Sequence, residues 1–157
     1  MNVFPEDGYT GRGDTMKKDR QLLCSILKTT QMNQIDIRSV LHTRLRPGLK
    51  KVLNAQLQEY DAIESEALAI ASQRGWDLKE IRPGRRLIVG IRTRMKLSRC
   101  DSDSKIADMM IQENTRHMIT GMKDIHQYQQ QDYRVSSLFQ RLLDCKAAAI
   151  RQLQAFL

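Results

Sequence analysis

Apolar side chains recur every three to four positions along most of this chain, which is the spacing of one face of an α-helix. The pattern predicts two helices in the first half of the chain, over residues 16–43 and 47–74. It predicts two more in the second half, over residues 104–130 and 132–157. The predicted fold class is therefore all-α, with four long helices.

Each predicted helix has one face that we expect to be buried. In the second helix this face is the most regular, and it consists of Leu49, Leu53, Gln56, Tyr60, Ile63, Ala67 and Ile70. In the third helix the inward positions are Ala107, Met110, Met118, Met122 and Ile125. In the fourth helix they are Val135, Leu138, Leu142, Cys145, Ala149, Leu153 and Phe156.

Turn-forming residues separate the predicted helices. Pro47 fits the first turn of the second helix, and Gly75 can end that helix in a left-handed conformation. Asp132 can cap the fourth helix. The connections near residues 44–47 and 130–133 are short, so the two helices that each one joins are expected to pack antiparallel.

The middle connection, residues 77–103, is far longer than a tight turn. Pro83 and Gly84 interrupt it, and a short basic helix with Leu87, Ile88, Ile91 and Met95 on one side is expected to follow. A connection of this length can run the full length of a bundle and leave the second and third helices parallel. We therefore predict an antiparallel four-helix bundle, ferritin-like, with a long basic crossover connection between helices 2 and 3.

Composition is consistent with one cytoplasmic domain. Of the 157 residues, 41% are apolar and 28% are charged, which is ordinary for a globular protein. Residues 1–15 are polar and glycine-containing and are expected to form a disordered tail before a single domain at 16–157. No apolar run is long enough to span a bilayer, and the first residues do not have the pattern of a secretory signal. Cys24, Cys100 and Cys145 lie far apart, so no disulfide framework is expected.

Positive charge is concentrated in the middle connection. The net charge is +8, and residues 82–99 contribute seven basic side chains with no acid among them. These candidate polyanion-binding residues are Arg82, Arg85, Arg86, Arg92, Arg94, Lys96 and Arg99. A second basic patch, expected at one end of the bundle, consists of Arg38, Arg44, Arg46, Lys50 and Lys51.

Three interpretations fit the basic segment. It can pack its apolar side across the bundle with solvated arginines outside, bind nucleic acid, or lie on an anionic membrane. No aromatic residue is interleaved to stack on bases, so the packed segment with a solvated face is favoured.

Two segments, IADMMIQENTRHMITGMKDIHQY and FQRLLDCKAAAIRQLQAFL, resemble parts of bacterial ferritin-like proteins, in particular poorly characterised members. The helix lengths and the long middle connection extend the resemblance from about residue 20 to residue 157. The resemblance lies in this pattern of helices and connections rather than in a sharply defined motif. Active members of this superfamily hold two metal ions with a Glu from each of two helices and a Glu-x-x-His from each of the other two.

The metal ligands that the resemblance implies are missing from this chain. The three histidines are His42, His117 and His126. None has a carboxylate three residues earlier, because those positions hold Ser39, Asn114 and Lys123. We therefore assign no metal residue, no catalytic residue and no cofactor.

A polar, mostly uncharged layer is expected where the metal would lie. Its members are Thr30, Gln34, Gln56, Tyr60, Asn114 and Cys145. Buried amides and hydroxyls must be hydrogen-bonded to each other or to water. A structural network that sets the helix register is favoured over a small-molecule pocket.

These observations lead to one main hypothesis and two alternatives. The main hypothesis is a metal-free ferritin-like structural or interaction module, expected to be a homodimer. The alternative is a basic helical protein that binds nucleic acid or another polyanion through residues 82–99. A second alternative, a di-metal carboxylate oxidase or other enzyme, is disfavoured because the ligands are missing.

Overall fold

A computed structural model describes residues 10–78, 83–127 and 132–157, and every regular element in these ranges is an α-helix. The all-α class predicted from the sequence is confirmed for this part of the chain. The helices are α1 (Thr10–Leu41), α2 (Pro47–Arg74), α3 (Pro83–Leu97), α4 (Asp103–Gln127) and α5 (Tyr133–Gln154).

The start of α1 differs from the prediction. The helix begins at Thr10, whereas the sequence predicted a disordered tail over residues 1–15. Residues 1–9 lie outside the described part of the chain. Between Thr10 and Thr15 there are two glycines but no proline, and a glycine weakens a helix by only about 1 kcal/mol. Each residue added to an existing helix gains one hydrogen bond, so α1 extends through this segment.

Two predicted helix ends are confirmed. Gly75 has φ 65° and ψ 28°, the left-handed conformation that favours glycine, and its N–H bonds to the Ser72 carbonyl. The Asp132 carboxylate accepts hydrogen bonds from the backbone N–H groups of Arg134 and Val135 and caps α5.

Helices α1 and α2 run antiparallel. Arg20 near the start of α1 donates to the carbonyl of Asp77, just beyond the end of α2, at 2.7 Å. Gln34, farther along α1, donates to Asp61 in the middle of α2 at 2.8 Å. The short connection between the two helices requires this arrangement.

Helix α5 lies along α2 in the opposite direction. Gln56 donates to Gln152 near one end of the pair at 3.4 Å, and Arg134 donates to Gln73 near the other end. Helix α4 runs back along α5, and the ring of Phe139 lies close to Gly121. Because α1 and α5 are each antiparallel to α2, they point in the same direction.

Helix α4 runs antiparallel to α1 and so parallel to α2. Ser25 in the middle of α1 donates to Asp124 near the end of α4 at 2.8 Å. At the other end, the backbone N–H of Arg46, between α1 and α2, donates to Asp103 at the start of α4 at 3.3 Å. Residues 75–102 therefore connect opposite ends of the molecule.

Helix α3 forms part of this connection and packs on α1. Thr93 on the buried side of α3 donates to Asp36 on α1 at 2.5 Å, and Leu97 is buried one turn later. Helix α3 occupies the segment where the sequence predicted a short basic helix.

The apolar core lies between α1, α2, α4 and α5. The predicted face of α2 is buried at all seven positions. On α4 the prediction was wrong for Met122, which is exposed near the end of the helix. No helix within the described ranges is long and apolar enough to cross a membrane.

Candidate functional site

Five members of the predicted polar layer are buried: Thr30, Gln34, Gln56, Tyr60 and Asn114. The sixth, Cys145, is half-buried, and so is Cys24. The six side chains nevertheless do not form a single hydrogen-bonded group.

Tyr60, Asn114 and Cys145 come together between α2, α4 and α5. The Tyr60 hydroxyl donates to Asn114 Oδ1 at 3.2 Å, and Asn114 Nδ2 donates to the Met110 carbonyl at 2.9 Å. Burial raises the pKa of Tyr60 well above its usual value, and the adjacent Cys145 raises it further. Burial also raises the pKa of the Cys145 thiol. Both groups are therefore protonated at neutral pH, and the thiol is a poor nucleophile.

Gln34 bonds to the seam between α1 and α2. Its Nε2 donates to Asp61 at 2.8 Å and to Glu64 at 2.7 Å, and Gln31 donates to the same Glu64 at 2.9 Å. The amides of Gln31 and Gln34 on α1 therefore donate hydrogen bonds to acidic side chains of α2. Gln34 therefore serves helix pairing rather than the group around Tyr60.

Gln56 and Thr30 are the two incompletely bonded members of the layer. Gln56 Nε2 donates to Gln152 at 3.4 Å, while its Oε1 is buried and has no partner among the described residues. Thr30 Oγ1 is also buried, and it too has no hydrogen-bond partner among the described residues.

Lys146 on α5 is a buried cation that the sequence analysis missed. Its side chain is 1% exposed, and Nζ has no hydrogen-bond partner within the described ranges. Nζ lies 5.6 Å from the centre of the Tyr60 ring, within the range of a cation–π contact. Burial lowers the pKa of Lys146 to about 7. Position 146 is four residues after buried Leu142 and three before buried Ala149, a helical signal that could have identified it.

Asp36 lies within electrostatic range of Lys146. It is bonded to Thr93 of α3, and burial raises the pKa of its carboxyl group. Lys146 lowers that pKa by a smaller amount. Burial therefore disfavours the charged forms of both the Asp36 carboxyl group and the Lys146 amine.

His117 on α4 is held in its neutral form. Burial, followed by the charge of Lys146, lowers its pKa to about 4. Its Nδ1 lies 3.2 Å from Asn33 Oδ1, while Asn33 Nδ2 donates to the Thr29 carbonyl at 2.9 Å. Because Asn33 Oδ1 can only accept, His117 Nδ1 carries the hydrogen. No group of three or more potential metal ligands occurs among the residues with described positions.

Glu113, one turn before His117, pairs with cations instead. It accepts from Lys96 of α3 and forms an ion pair with Arg116 at 3.1 Å. Burial alone would raise the pKa of Glu113, but the hydrogen bond and charge of Lys96 outweigh it and lower the pKa. This contact links α3 to α4.

The seven candidate polyanion-binding residues do not share one surface. Arg82 lies outside the described residues, as does the side chain of Arg85. Lys96 lines the same groove as Arg92 and Arg99, but it is paired with Glu113 of α4. The remaining four, which are exposed, are Arg86, Arg92, Arg94 and Arg99.

The outer face of α3, defined by Ile88, Arg92, Met95 and Arg99, carries exposed apolar side chains. Ile88 is 66% exposed and Met95 is 63% exposed, so the expectation that they pack across the bundle was wrong. Thr93 and Leu97 form the buried side, and a rotation of 100° per residue places Ile88 and Met95 away from it. The outer face lines an open groove of about 360 Å³.

Comparisons with protein-family models, with curated proteins and with solved structures give no match to this chain. The ferritin-like resemblance therefore stays a prediction from the sequence.

Proposed function

We propose that this chain is a metal-free four-helix bundle with ferritin-like crossover topology that serves as a non-enzymatic interaction module. The antiparallel pairs α1–α2 and α4–α5, with α3 in a connection between opposite ends, support this topology. The four bundle helices are then α1, α2, α4 and α5, and α3 lies outside them.

The observation that carries the metal-free part is the position of Lys146. A di-metal bundle directs carboxylates and imidazoles into its interior. Here an amine with no hydrogen-bond partner among the described residues lies beside Tyr60, within electrostatic range of Asp36 and His117. When it is protonated, its positive charge repels a divalent cation, and the protonated Cys145 thiol nearby is a weak ligand.

Metal analysis tests this part of the proposal. Tag-free protein would be purified from cultures supplemented with iron and manganese and measured by inductively coupled plasma mass spectrometry. We expect far less than one ion per chain. A value of about two ions per chain, the content of a di-metal bundle, would overturn the metal-free assignment.

The interaction role rests on the outer face of α3. Exposed Ile88 and Met95 alternate with Arg92 and Arg99, so this face suits a partner protein with apolar side chains inside an acidic rim. Lys96 is the residue of this groove that already has an acidic partner.

Affinity capture with two matched variants tests this role. Ile88→Ser/Met95→Ser removes the exposed apolar pair of α3, and Leu68→Ser/Tyr133→Ser removes an exposed pair elsewhere. Quantitative mass spectrometry of proteins captured from the source cells should show an acidic partner lost with the first variant and retained with the second. Equal capture by both variants would overturn docking at α3.

A second candidate function is polyanion binding through α3. The side chains of Arg92, Arg94 and Arg99 have no acidic partner among the described residues. Gel shifts with duplex DNA over a salt series would compare a triple Arg→Gln variant at these positions with Arg44→Gln/Lys50→Gln/Lys51→Gln. Loss of three phosphate contacts should flatten the log–log salt slope by about 2 to 3. No shift at low salt, or equal loss in both variants, would exclude this candidate.

A homodimer remains part of the proposal. Arg92 and Arg99 would repel a second copy at the outer face of α3, so we place the dimer contact at the exposed apolar residues Ile119 and Met122 of α4. Light scattering should give twice the chain mass of 18.2 kDa and a monomer for Ile119→Ser/Met122→Ser. A monomeric wild-type chain would contradict it.

A further inference from the structure

A second groove lies on the opposite side of α3, along its seam with α1. Two adjoining cavities of about 290 and 440 Å³ share Ser39, His42 and Arg94 in their walls. The remaining lining residues are Ile35, Arg38, Thr43, Arg86, Gly90, Leu97 and Ser98. We call this space the α1–α3 groove, and its size falls within the range of small-molecule sites.

The groove brings together basic residues from two segments that are separate in the sequence. Arg38 and His42 come from α1, while Arg86 and Arg94 come from α3. None of the described lining residues is acidic. Two acids lie just outside. Asp61 of α2 bonds to Arg38 at 3.2 Å and holds its guanidinium in place, and Asp36 of α1 accepts from Thr93 of α3.

Helix dipoles oppose this positive charge only in part. Arg38 and Arg94 lie in the last turns of α1 and α3, where each helix carries about half a negative charge. Their positions also stabilise those helix ends. Each guanidinium has five N–H donors, so Arg38 keeps donors for an anion beside its bond to Asp61, and so does Arg94 at the end of α3.

The groove also has apolar and hydrogen-bonding parts. Ile35 and Gly90 form a region without charge, and a Cβ at Gly90 would meet nothing within 4 Å. The hydroxyls of Ser39, Thr43 and Ser98 each donate to a carbonyl of their own helix at 2.7–2.8 Å. They therefore offer lone pairs to a ligand, while the guanidinium and imidazole groups supply the donors.

We propose that the α1–α3 groove binds a small phosphorylated molecule. Its phosphate is held by Arg94 and Arg38 through charge-assisted hydrogen bonds. Its less polar part lies over Ile35 and Gly90, and its own hydroxyl or amine groups donate to the serine oxygens. The site lies across α3 from its outer face, so it does not depend on partner docking there. Arg94 belongs both to this groove and to the polyanion candidate.

Calorimetric titration at low salt tests the groove with four probes: adenosine monophosphate, glucose 6-phosphate, inorganic phosphate and adenosine. At least one of the two phosphate esters should bind with a dissociation constant of about 1 mM or tighter. Adenosine should not bind measurably, because it has no phosphate. Failure of all the phosphorylated probes to bind would overturn the proposal.

Charge-matched variants then locate the binding. Arg94→Gln in the groove should weaken binding of the phosphate ester at least tenfold, whereas Arg92→Gln on the outer face should change it less than twofold. Equal weakening by both would mean diffuse attraction to a basic helix, which overturns the groove and leaves the polyanion candidate standing. The groove would also be overturned if the chain bound DNA tightly and Arg94→Gln and Arg92→Gln weakened that binding equally.

A charge-neutral variant separates groove shape from electrostatics. Gly90→Leu fills the uncharged region of the groove and replaces a helix glycine with a strong helix former. Circular dichroism should show a fold as stable as wild type, while phosphate-ester binding falls at least tenfold. Unchanged binding in a folded Gly90→Leu protein would contradict a ligand seated between α1 and α3.

Discussion

Two basic regions of this chain differ in their access to water, and the difference decides their chemistry. Lys146 lies between the helices with its amine buried and without a hydrogen-bond partner among the described residues. Arg92 and Arg94 lie on α3 and are exposed. In the interior a positive charge is costly, so the pKa of Lys146 falls to about 7. On α3 the arginines keep their charge and can attract anions.

The number of basic residues in a segment therefore does not predict what each of them does. The buried cation should appear in measurements of stability against pH. The exposed cations should appear in measurements of binding against salt.

The largest effect is expected from Lys146→Met. Burial lowers the pKa of Lys146 from 10.5 to about 7, and this shift shows that burying the protonated amine destabilises the folded state. Methionine has a similar shape and no charge, so the free energy of unfolding at pH 6 should rise by on the order of 3 kcal/mol. Urea denaturation followed by circular dichroism measures it, with exposed Lys123→Met as the control. A loss of stability in Lys146→Met would show that the amine is a necessary structural group.

The wild-type chain should become more stable as pH rises. The folded-state pKa of Lys146, about 7, lies below its unfolded value of 10.5, so the unfolded state binds more protons between these values. Lys146 should therefore contribute a rise of about 2 kcal/mol between pH 7.5 and 9.5. The raised pKa of the Cys145 thiol acts against this rise near pH 9, so the contribution of Lys146 is read from the difference between the wild-type chain and Lys146→Met. His117, with its pKa lowered to about 4, adds a similar rise between pH 4 and 6.5. Asp36 acts in the opposite direction near pH 4, because its pKa is raised.

Denaturation curves at several pH values check this dependence. The rise above pH 7.5 should be absent in Lys146→Met and retained in Lys123→Met. A flat profile in the wild-type chain would mean that Lys146 reaches water in the folded state.

Tyr60→Phe should cost about 1 to 2 kcal/mol. It removes the hydroxyl that donates to Asn114 and leaves Asn114 Oδ1 buried without that partner. Thermal unfolding measures the loss, and Tyr133→Phe at an exposed position serves as the control. If both substitutions have the same small effect, the Tyr60–Asn114 bond contributes nothing to stability.

The smallest effect is expected on the surface. Gly90→Ala should stabilise the chain by about 0.5 to 1 kcal/mol, because alanine favours a helix and its Cβ meets no atom within 4 Å. Calorimetry should show a slightly higher melting temperature. A lower one would mean that α3 packs more closely on α1 than the open space at Gly90 indicates.

The predicted and observed faces agree for α2 and differ for α3. On α2, positions from Leu49 to Ile70 alternate between apolar and charged residues at helical spacing, so a single face could be buried. On α3, apolar and basic residues occur all round the helix. Ile88 and Met95 were expected inside, yet Thr93 and Leu97 are buried there instead. Thr93 is buried because it bonds to Asp36 on α1, a partner that periodicity cannot reveal.

The residues of the candidate sites could be predicted from the sequence only in part. The sequence predicted one polar layer of six residues: Thr30, Gln34, Gln56, Tyr60, Asn114 and Cys145. In the structure Tyr60 donates to Asn114 and lies beside Cys145, whereas Gln34 bonds to acids of α2. Lys146 follows Cys145 directly, but a lysine at the edge of an apolar stripe usually extends to water. Its burial depends on how closely α1, α2 and α4 surround that edge. The α1–α3 groove likewise needed the packing of two helices that are distant in sequence.

The sequence by itself determined the helices, because hydrogen bonds within a helix are local and the spacing of apolar residues records which turns can form. It also determined the helix ends at Gly75 and Asp132, where a single residue supplies the required conformation or cap. The packing of the helices, by contrast, buries Lys146, turns Ile88 and Met95 outward, and places Arg38 and Arg94 in one groove. Burial and electrostatic environment depend on the neighbouring helices, and those neighbours come from distant parts of the chain.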